Sequence, residues 1–296
     1  MRFEATDGVE LAGLLYEPER RARRAVVFLH GAAGASIFDS KRTNLLAEEL
    51  VAGGFAFLPF NNRGAHLVRR LRAARGRASR SIAGGAAHEI IRECVRDIDG
   101  AARFLRRRGY GELYLAGHST GANKIAVYDH YKPRNPFRKY VLLAGGDDTG
   151  GLYAQLGPRR FRAMLERSRD RIAAHRGDEL VPAAALAPMM SWRSLRDMIN
   201  PDGDYNVFPF LEVLRGLRLS RKPRFRYVRA IRKPALFVYG DRDEFCFDDV
   251  PACVRILADA LGPKPNAELV IMGDTSHGFS GRERELGGLI GEWLLG

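Results

Sequence analysis

The chain has 296 residues, 46% of them hydrophobic, which is enough to bury a full core without disulfides or metal ions. No apolar run approaches the roughly 20 residues that a membrane-spanning helix needs, so we expect no membrane partner. The net charge of +13 is compatible with nucleic-acid binding. In neither arginine-rich stretch, 63–80 or 215–233, do arginines alternate with aromatic residues as in a base-stacking surface. We therefore expect no nucleic-acid partner.

The N-terminal residues contain no apolar segment of the kind that secretory signals carry. The cysteines Cys94, Cys246 and Cys253 form no CxxC pair and stand near no histidine cluster with metal-ligand spacing. We therefore expect a cytoplasmic protein with reduced thiols, no metal and no organic cofactor.

Short apolar runs alternate with amphipathic stretches, a pattern typical of helices on both faces of a mainly parallel sheet. Residues 1–17 predict an antiparallel hairpin that turns at Asp7-Gly8. Further strands are predicted at 25–29, 55–60, 113–116 and 140–144, and helices at about 40–53, 88–108 and 122–131. The first two of these strands are continuous apolar runs, which indicates burial on both faces.

The alternation stops after residue 144 and resumes about eighty residues later. Residues 151–230 carry helical patterns, notably at 161–175, and we predict a helical cap inserted into an α/β core made of 1–150 and 231–296. Strands follow at 235–239 and 268–272, and a helix from about 283 closes the chain. The predicted fold is α/β, with a mostly parallel eight-stranded sheet, helices on both faces and a cap.

The run Gly-His-Ser-Thr-Gly at 117–121 stands between a predicted strand and a predicted helix, the context in which GxSxG indicates a nucleophilic serine, Ser119. Glycine on both sides permits the close backbone approach of such a sharp turn. The amide of Thr120, at the helix N-terminus, could donate to an oxyanion.

A serine nucleophile needs a base, and the base needs an acid to orient it. His277 lies between the last predicted strand and the last helix and is the predicted base. The pattern G-x-x-D after the strand at 235–239 favours Asp243 as the acid, and the alternatives are Asp147 and Asp148 after the preceding strand. Each choice keeps the chain order serine, acid, histidine.

A second oxyanion donor is predicted in the small-residue loop that follows the strand at 25–29. The loop reads His-Gly-Ala-Ala-Gly at 30–34 and exposes backbone N–H groups. We favour the amide of Ala32, and spacing leaves Ala33 open as the alternative.

Together these features resemble the α/β-hydrolase superfamily over 1–150 and 231–296. More narrowly, Phe-Asn-Asn-Arg-Gly at 60–64, Ala-His-Glu at 87–89 and Asp-Ile at 97–98 resemble a group that includes fungal siderophore esterases. The resemblance implies a serine hydrolase that forms an acyl-enzyme on Ser119 and cleaves an ester in a bulky substrate, cyclic or iron-chelating in the narrower case.

The predicted function is hydrolysis of a small-molecule carboxylic ester or lactone, with the cap selecting the substrate. Alternatives are an amidase, a thioesterase, a carbon–carbon bond hydrolase, a cofactor-free haloperoxidase or a non-catalytic ligand-binding homologue. The arginine-rich loop 63–80 is predicted to attract anionic substrates or products. The predicted pocket-lining residues are Tyr153, Met189, Met190, Trp192, Tyr205 and Phe208.

Overall fold

A computed structural model describes the chain apart from residues 21, 33–34, 77, 184 and 187–188. The side chains of Asp39 and Arg75 are also outside the described part. Ala33, the alternative oxyanion donor, and Arg77 of the arginine-rich stretch therefore lie outside the described residues.

One sheet of eight strands forms the centre of the molecule, in the order β1-β2-β4-β3-β7-β8-β9-β10. A separate two-stranded sheet, β5-β6, packs beside it, with a bridge between Ala73 and Val9. The first two strands join antiparallel, and the pairs from β4 to β10 are parallel. The strands are β1 (Arg2–Glu4), β2 (Glu10–Gly13), β3 (Arg24–Leu29), β4 (Phe55–Asn61), β5 (Arg69–Arg75), β6 (Ala78–Gly84), β7 (Glu112–His118), β8 (Phe137–Leu143), β9 (Ala235–Arg242) and β10 (Ala267–Ser276). The predicted mostly parallel eight-stranded sheet is confirmed.

Helices cover both faces of the sheet. Within the described residues they are α1 (Lys41–Ala52), α2 (Cys94–Arg107), α3 (Thr120–Tyr131), α4 (Asp148–Ala173), α5 (Trp192–Ile199), α6 (Phe210–Leu214), α7 (Arg226–Ala230), α8 (Val250–Leu261) and α9 (Glu283–Leu295). Helix α4 is interrupted at Gly157, where φ is 72°, just before Pro158. The sequence analysis did not predict α8.

The central strands are buried on both sides because helices pack on both faces. In β3, Val27 and Leu29 join the apolar layer that contains α2 and α3, whereas Val26 and Phe28 join the layer with α1 and α9. A strand in this position has no polar face, which explains the continuous apolar runs in the sequence. The carboxyl ends of these parallel strands meet at one edge, where open α/β sheets bind ligands.

The predicted loop at 63–80 is wrong over most of its length, because β5 and β6 form an antiparallel hairpin there. Leu71 and Ala73 are buried, whereas Arg70 and Arg72 are exposed. This alternation is that of a strand with one buried face. It is hard to recognise in the sequence because β5 has few apolar residues and many arginines.

The predicted cap divides into two parts by its packing. The apolar side chains of 152–199, among them Phe161 and Trp192, form a cluster of their own. Those of 205–231, among them Tyr205 and Tyr227, belong to the main core beside the sheet. We propose that the cap comprises about 148–199 and that the rest of the predicted insertion is part of the α/β core. In the described part of the chain, no helix has both the length and the hydropathy of a membrane span.

Candidate active site

Ser119 occupies the sharp turn between β7 and α3. Its φ of 58° and ψ of −128° form a strained conformation that residues other than glycine rarely adopt. The turn is held by the Ser119 amide, which donates to the carbonyl of Leu143 in the neighbouring strand at 2.8 Å. The serine thereby lies at the wall of a cavity that it shares with His277.

The glycines around Ser119 are required by close backbone contacts. A Cβ atom on Gly121 would lie 2.3 Å from the carbonyl oxygen of Leu29, and one on Gly117 would lie 2.5 Å from the carbonyl oxygen of Gly121. Because backbone atoms cannot yield as a flexible side chain does, any larger residue would push the turn out of position.

We expect Gly121→Ala to lower the free energy of unfolding by about 2–3 kcal/mol, since the new methyl group overlaps the Leu29 carbonyl. The matched control is Gly288→Ala in α9, where a Cβ would meet no atom within 4 Å. That change should raise stability by about 0.5–1 kcal/mol, because alanine favours a helix. Urea unfolding of both variants checks the pair, and equal effects would contradict the proposed contact.

His277 and Asp243 follow the adjacent strands β10 and β9 and meet at the same edge. Nδ1 of His277 lies 2.9 and 3.0 Å from the two carboxylate oxygens of Asp243. The Asp243 side chain is 1% exposed and that of His277 is 12% exposed. A carboxylate that accepts the Nδ1 proton leaves Nε2 with a free lone pair, which is the tautomer a general base needs.

The alternative acids, Asp147 and Asp148, contact other groups. Asp147 accepts from the amides of Gly150 at 2.7 Å and Leu211 at 2.8 Å, and burial raises its pKa to about 7 despite these bonds. Asp148 lines the cavity and accepts from Thr120 Oγ1 at 3.3 Å and from an Asn123 amide at 3.0 Å. Burial raises the pKa of Asp148 to about 6. Asp243 is thus the carboxylate of these three that contacts the His277 ring.

His118 and Arg42 hold the loop that carries His277 through hydrogen bonds to its backbone. Burial, together with the charge of Arg42, lowers the pKa of His118 well below its usual range, so the ring is neutral. Its Nε2–H donates to the carbonyl of His277 at 2.7 Å. Arg42 Nη1 donates to the next carbonyl, that of Gly278, at 3.0 Å. Neither His118 nor Arg42 was predicted from the sequence as part of the site.

A buried polar network lies under the cavity. Lys124 is fully buried, and its Nζ lies 2.5 Å from Glu89 Oε1 and 3.3 Å from Asn62 Oδ1. The other oxygen of Glu89 accepts from Tyr205 Oη at 3.2 Å. Burial, with a contribution from Lys124, lowers the pKa of His30 to about 4, so the ring is neutral and its Nε2 accepts from the Asn62 amide. Asn62 and Glu89, two residues of the narrower resemblance, therefore join a single network.

Both predicted oxyanion donors belong to residues that line the cavity, Ala32 and Thr120. Thr120 is the first residue of α3, where amide groups have no acceptor within the helix. A Cβ on Gly31 would lie 3.0 Å from the Cβ of Ser119, so the backbone that leads to Ala32 passes directly beside the serine.

The cavity has a volume of about 580 Å³, within the range of small-molecule sites. Of the predicted lining residues, Met189, Met190 and Tyr205 line it. Lining residues that the sequence analysis missed include Leu152, Gln155, Met198, Phe245 and Phe247. Among the described histidine, cysteine and acidic side chains, no three are grouped so as to hold a metal ion.

Three predicted lining residues lie elsewhere. The Trp192 ring is buried in the core of the cap, beneath the guanidinium groups of Arg167 and Arg171. Tyr153 packs edge-on against Phe161, with ring centroids 5.2 Å apart. Phe208 is buried in the main core. These rings are needed for packing, which is the more common use of aromatic residues at such spacings.

A model of the alpha/beta hydrolase family matches residues 26–286, and the chain therefore belongs to this family. Est1E from Butyrivibrio proteoclasticus, in a structure with bound ferulic acid, is similar to this chain with a TM-score of 0.64 and 16% identity, covering 99% of this chain and 97% of its own. A Pyrococcus furiosus esterase has a TM-score of 0.60 and 18% identity, covering 100% and 89%.

A third similar structure is XC6422 from Xanthomonas campestris, described as a serine hydrolase without a lid. Its TM-score is 0.56 and its identity 16%, and the match covers 100% of this chain and 92% of that one. At such identities the three likenesses show the fold alone. A search of curated proteins finds no significant match.

Proposed function

We propose that this protein is a serine hydrolase that cleaves a carboxylic ester or lactone. Ser119 is the nucleophile, His277 the base and Asp243 the acid that orients it. The observation that supports this most strongly is the hydrogen bond that Nδ1 of His277 donates to the carboxylate of Asp243, in a cavity that His277 shares with the strained Ser119. Backbone strain at a residue that lines a cavity is typical of a functional position.

The reaction proceeds by acyl transfer in two steps. His277 takes the hydroxyl proton of Ser119 as the serine oxygen attacks the ester carbonyl, and the amides of Ala32 and Thr120 stabilise the resulting oxyanion. His277 then gives its proton to the leaving alcohol, and an acyl-enzyme remains. Water, deprotonated by the same imidazole, releases the acid and restores the serine.

The lining of the cavity supports selection of the substrate by the cap. Leu152, Gln155, Met189, Met190 and Met198 all come from 148–199 and line the cavity. Methionine side chains adapt to irregular ligands, so this side suits a bulky apolar group. The bound ferulic acid in Est1E favours an ester of an organic acid.

The test is a panel of p-nitrophenyl esters of increasing acyl length, γ- and δ-lactones, a matched thioester and anilide, and a cyclic siderophore ester. We expect saturable hydrolysis of at least one ester or lactone, and transfer of the acyl group to added methanol, which is the signature of an acyl-enzyme. Faster turnover of the anilide or thioester would favour the amidase or thioesterase alternative. Binding without any turnover would favour a non-catalytic homologue.

A further inference from the structure

The ionisable side chains that line the cavity differ in whether the protein supplies hydrogen-bond or ion-pair partners for them. Glu89 is paired with Lys124, and Glu244 accepts from the backbone amide of His277 at 3.1 Å. Asp147 and Asp148 accept from amide and hydroxyl donors. Each carboxylate therefore has donors from the protein. Arg42 is the arginine of this lining, and among the described side chains it forms no salt bridge with a carboxylate.

The contacts of Arg42 leave most of its donors unused. Nη1 donates to the Gly278 carbonyl, and Nε is buried with no hydrogen-bond partner in the described part of the chain. Nη1 is also 3.3 Å from His118 Nε2, but that nitrogen carries the proton donated to His277, so the contact is no hydrogen bond. Burial lowers the pKa of Arg42, and the opposing charge of Glu283, which forms no salt bridge with it, only partly offsets this effect.

Arg63 shows how the same chain builds a structural buried arginine. Its guanidinium lies 2.7 Å from Asp97, 3.1 Å from Asp7 and 3.2 Å from Glu93, and these partners raise its pKa. Bracing a loop through one carbonyl, as Arg42 does, requires only one neutral donor. The free-energy penalty of burying a charge without a salt-bridge partner is offset when an anion binds to it.

We propose that Arg42 is the carboxylate-binding residue of the active-site cavity, so that the preferred substrates are esters that carry a second, ionised carboxylate. This rests on the proposed function, because the carboxylate must enter the cavity that holds Ser119. A guanidinium binds a carboxylate through two parallel hydrogen bonds, which fixes the orientation of the ester as well as its affinity.

The experiment compares matched neutral and anionic esters. Ethyl butanoate, pentanoate and hexanoate are paired with monoethyl succinate, glutarate and adipate, and butanoyl esters of ethanol and of glycolic acid test a carboxylate on the alcohol side. We expect the wild type to favour the anionic member of at least one pair in kcat/KM. Arg42→Gln should lower that preference by about 10- to 100-fold, chiefly through KM, and Arg42→Lys should restore part of it.

The control is Arg72→Gln, which removes an equal charge from the exposed face of the β5–β6 hairpin and should leave the preference unchanged. Equal losses on neutral and anionic esters in Arg42→Gln would reduce Arg42 to a support of the His277 loop and overturn the proposal. A wild type that favours every neutral ester would also overturn it. A protein that hydrolyses no ester, neutral or anionic, refutes the proposed function instead.

Discussion

Replacing Ser119 with alanine is expected to lower kcat for ester hydrolysis by about 10,000-fold or more, the loss typical of a missing serine nucleophile. The physical reason is that the nucleophilic oxygen is lost, and the neighbouring hydroxyl of Thr120 donates to Asp148, whereas the oxyanion donors and the binding cavity remain. KM should therefore change little. Steady-state kinetics on the best ester of the panel give both constants.

The fold is expected to survive this substitution, because the Ser119 side chain caps no helix and the turn is held by its backbone. The control is Ser79→Ala on the exposed strand β6, which should retain full activity. A Ser119→Ala protein with the thermal stability of the wild type and more than about a tenth of its activity would exclude Ser119 as nucleophile.

Asp243→Asn should lower kcat by about 10,000-fold, the loss seen when an isosteric amide replaces a triad acid. The amide presents a donor to Nδ1 of His277, so the proton moves to Nε2 and the base can no longer accept one from Ser119. The measurement is kcat on the same ester, together with near-ultraviolet circular dichroism to verify the fold.

The matched control is Asp148→Asn, which alters a buried carboxyl in the same cavity. Because Asp148 accepts its hydrogen bonds from Thr120 and Asn123, whereas His277 donates to Asp243, we expect a loss of less than about 10-fold. A larger loss from Asp148→Asn than from Asp243→Asn would transfer the role of the acid to the end of β8.

Most of the sheet could be predicted because strands buried on both faces have no polar positions. The runs at 25–29 and 55–60 match β3 and β4 within a residue or two. The hairpin β5–β6 was not predicted, since among the described side chains of its first strand Leu71 and Ala73 are the buried ones and arginines occupy the exposed positions. The pairing of β5 with β6 therefore depends on packing against other parts of the chain.

The candidate site was predictable where chemistry follows a turn at a strand end, as for Ser119, Asp243 and His277. Arg42 has no such signal, because it stands in the first turn of an ordinary amphipathic helix. It lines the cavity because the fold places α1 beside the loop that carries His277. The density of arginines at 63–80 favours that stretch as an anion site, but the guanidinium of Arg63 is already paired with Asp7 and Asp97.

Apolar residues of the cap that are close in sequence can have different surroundings. Met189 and Trp192 are neighbours in sequence, but one lines the cavity and the other is buried in the core of the cap. Which side an apolar residue faces depends on how α4 and α5 pack together, and sequence spacing does not carry that information.

The central claim, that Ser119 is the nucleophile, is tested most directly by treating the protein with a fluorophosphonate and locating the adduct by peptide mass spectrometry. The account predicts one adduct per chain, on Ser119, formed in step with loss of esterase activity and absent from Ser119→Ala. Full loss of activity with the label on another residue, such as Ser276 or Ser280, would contradict it.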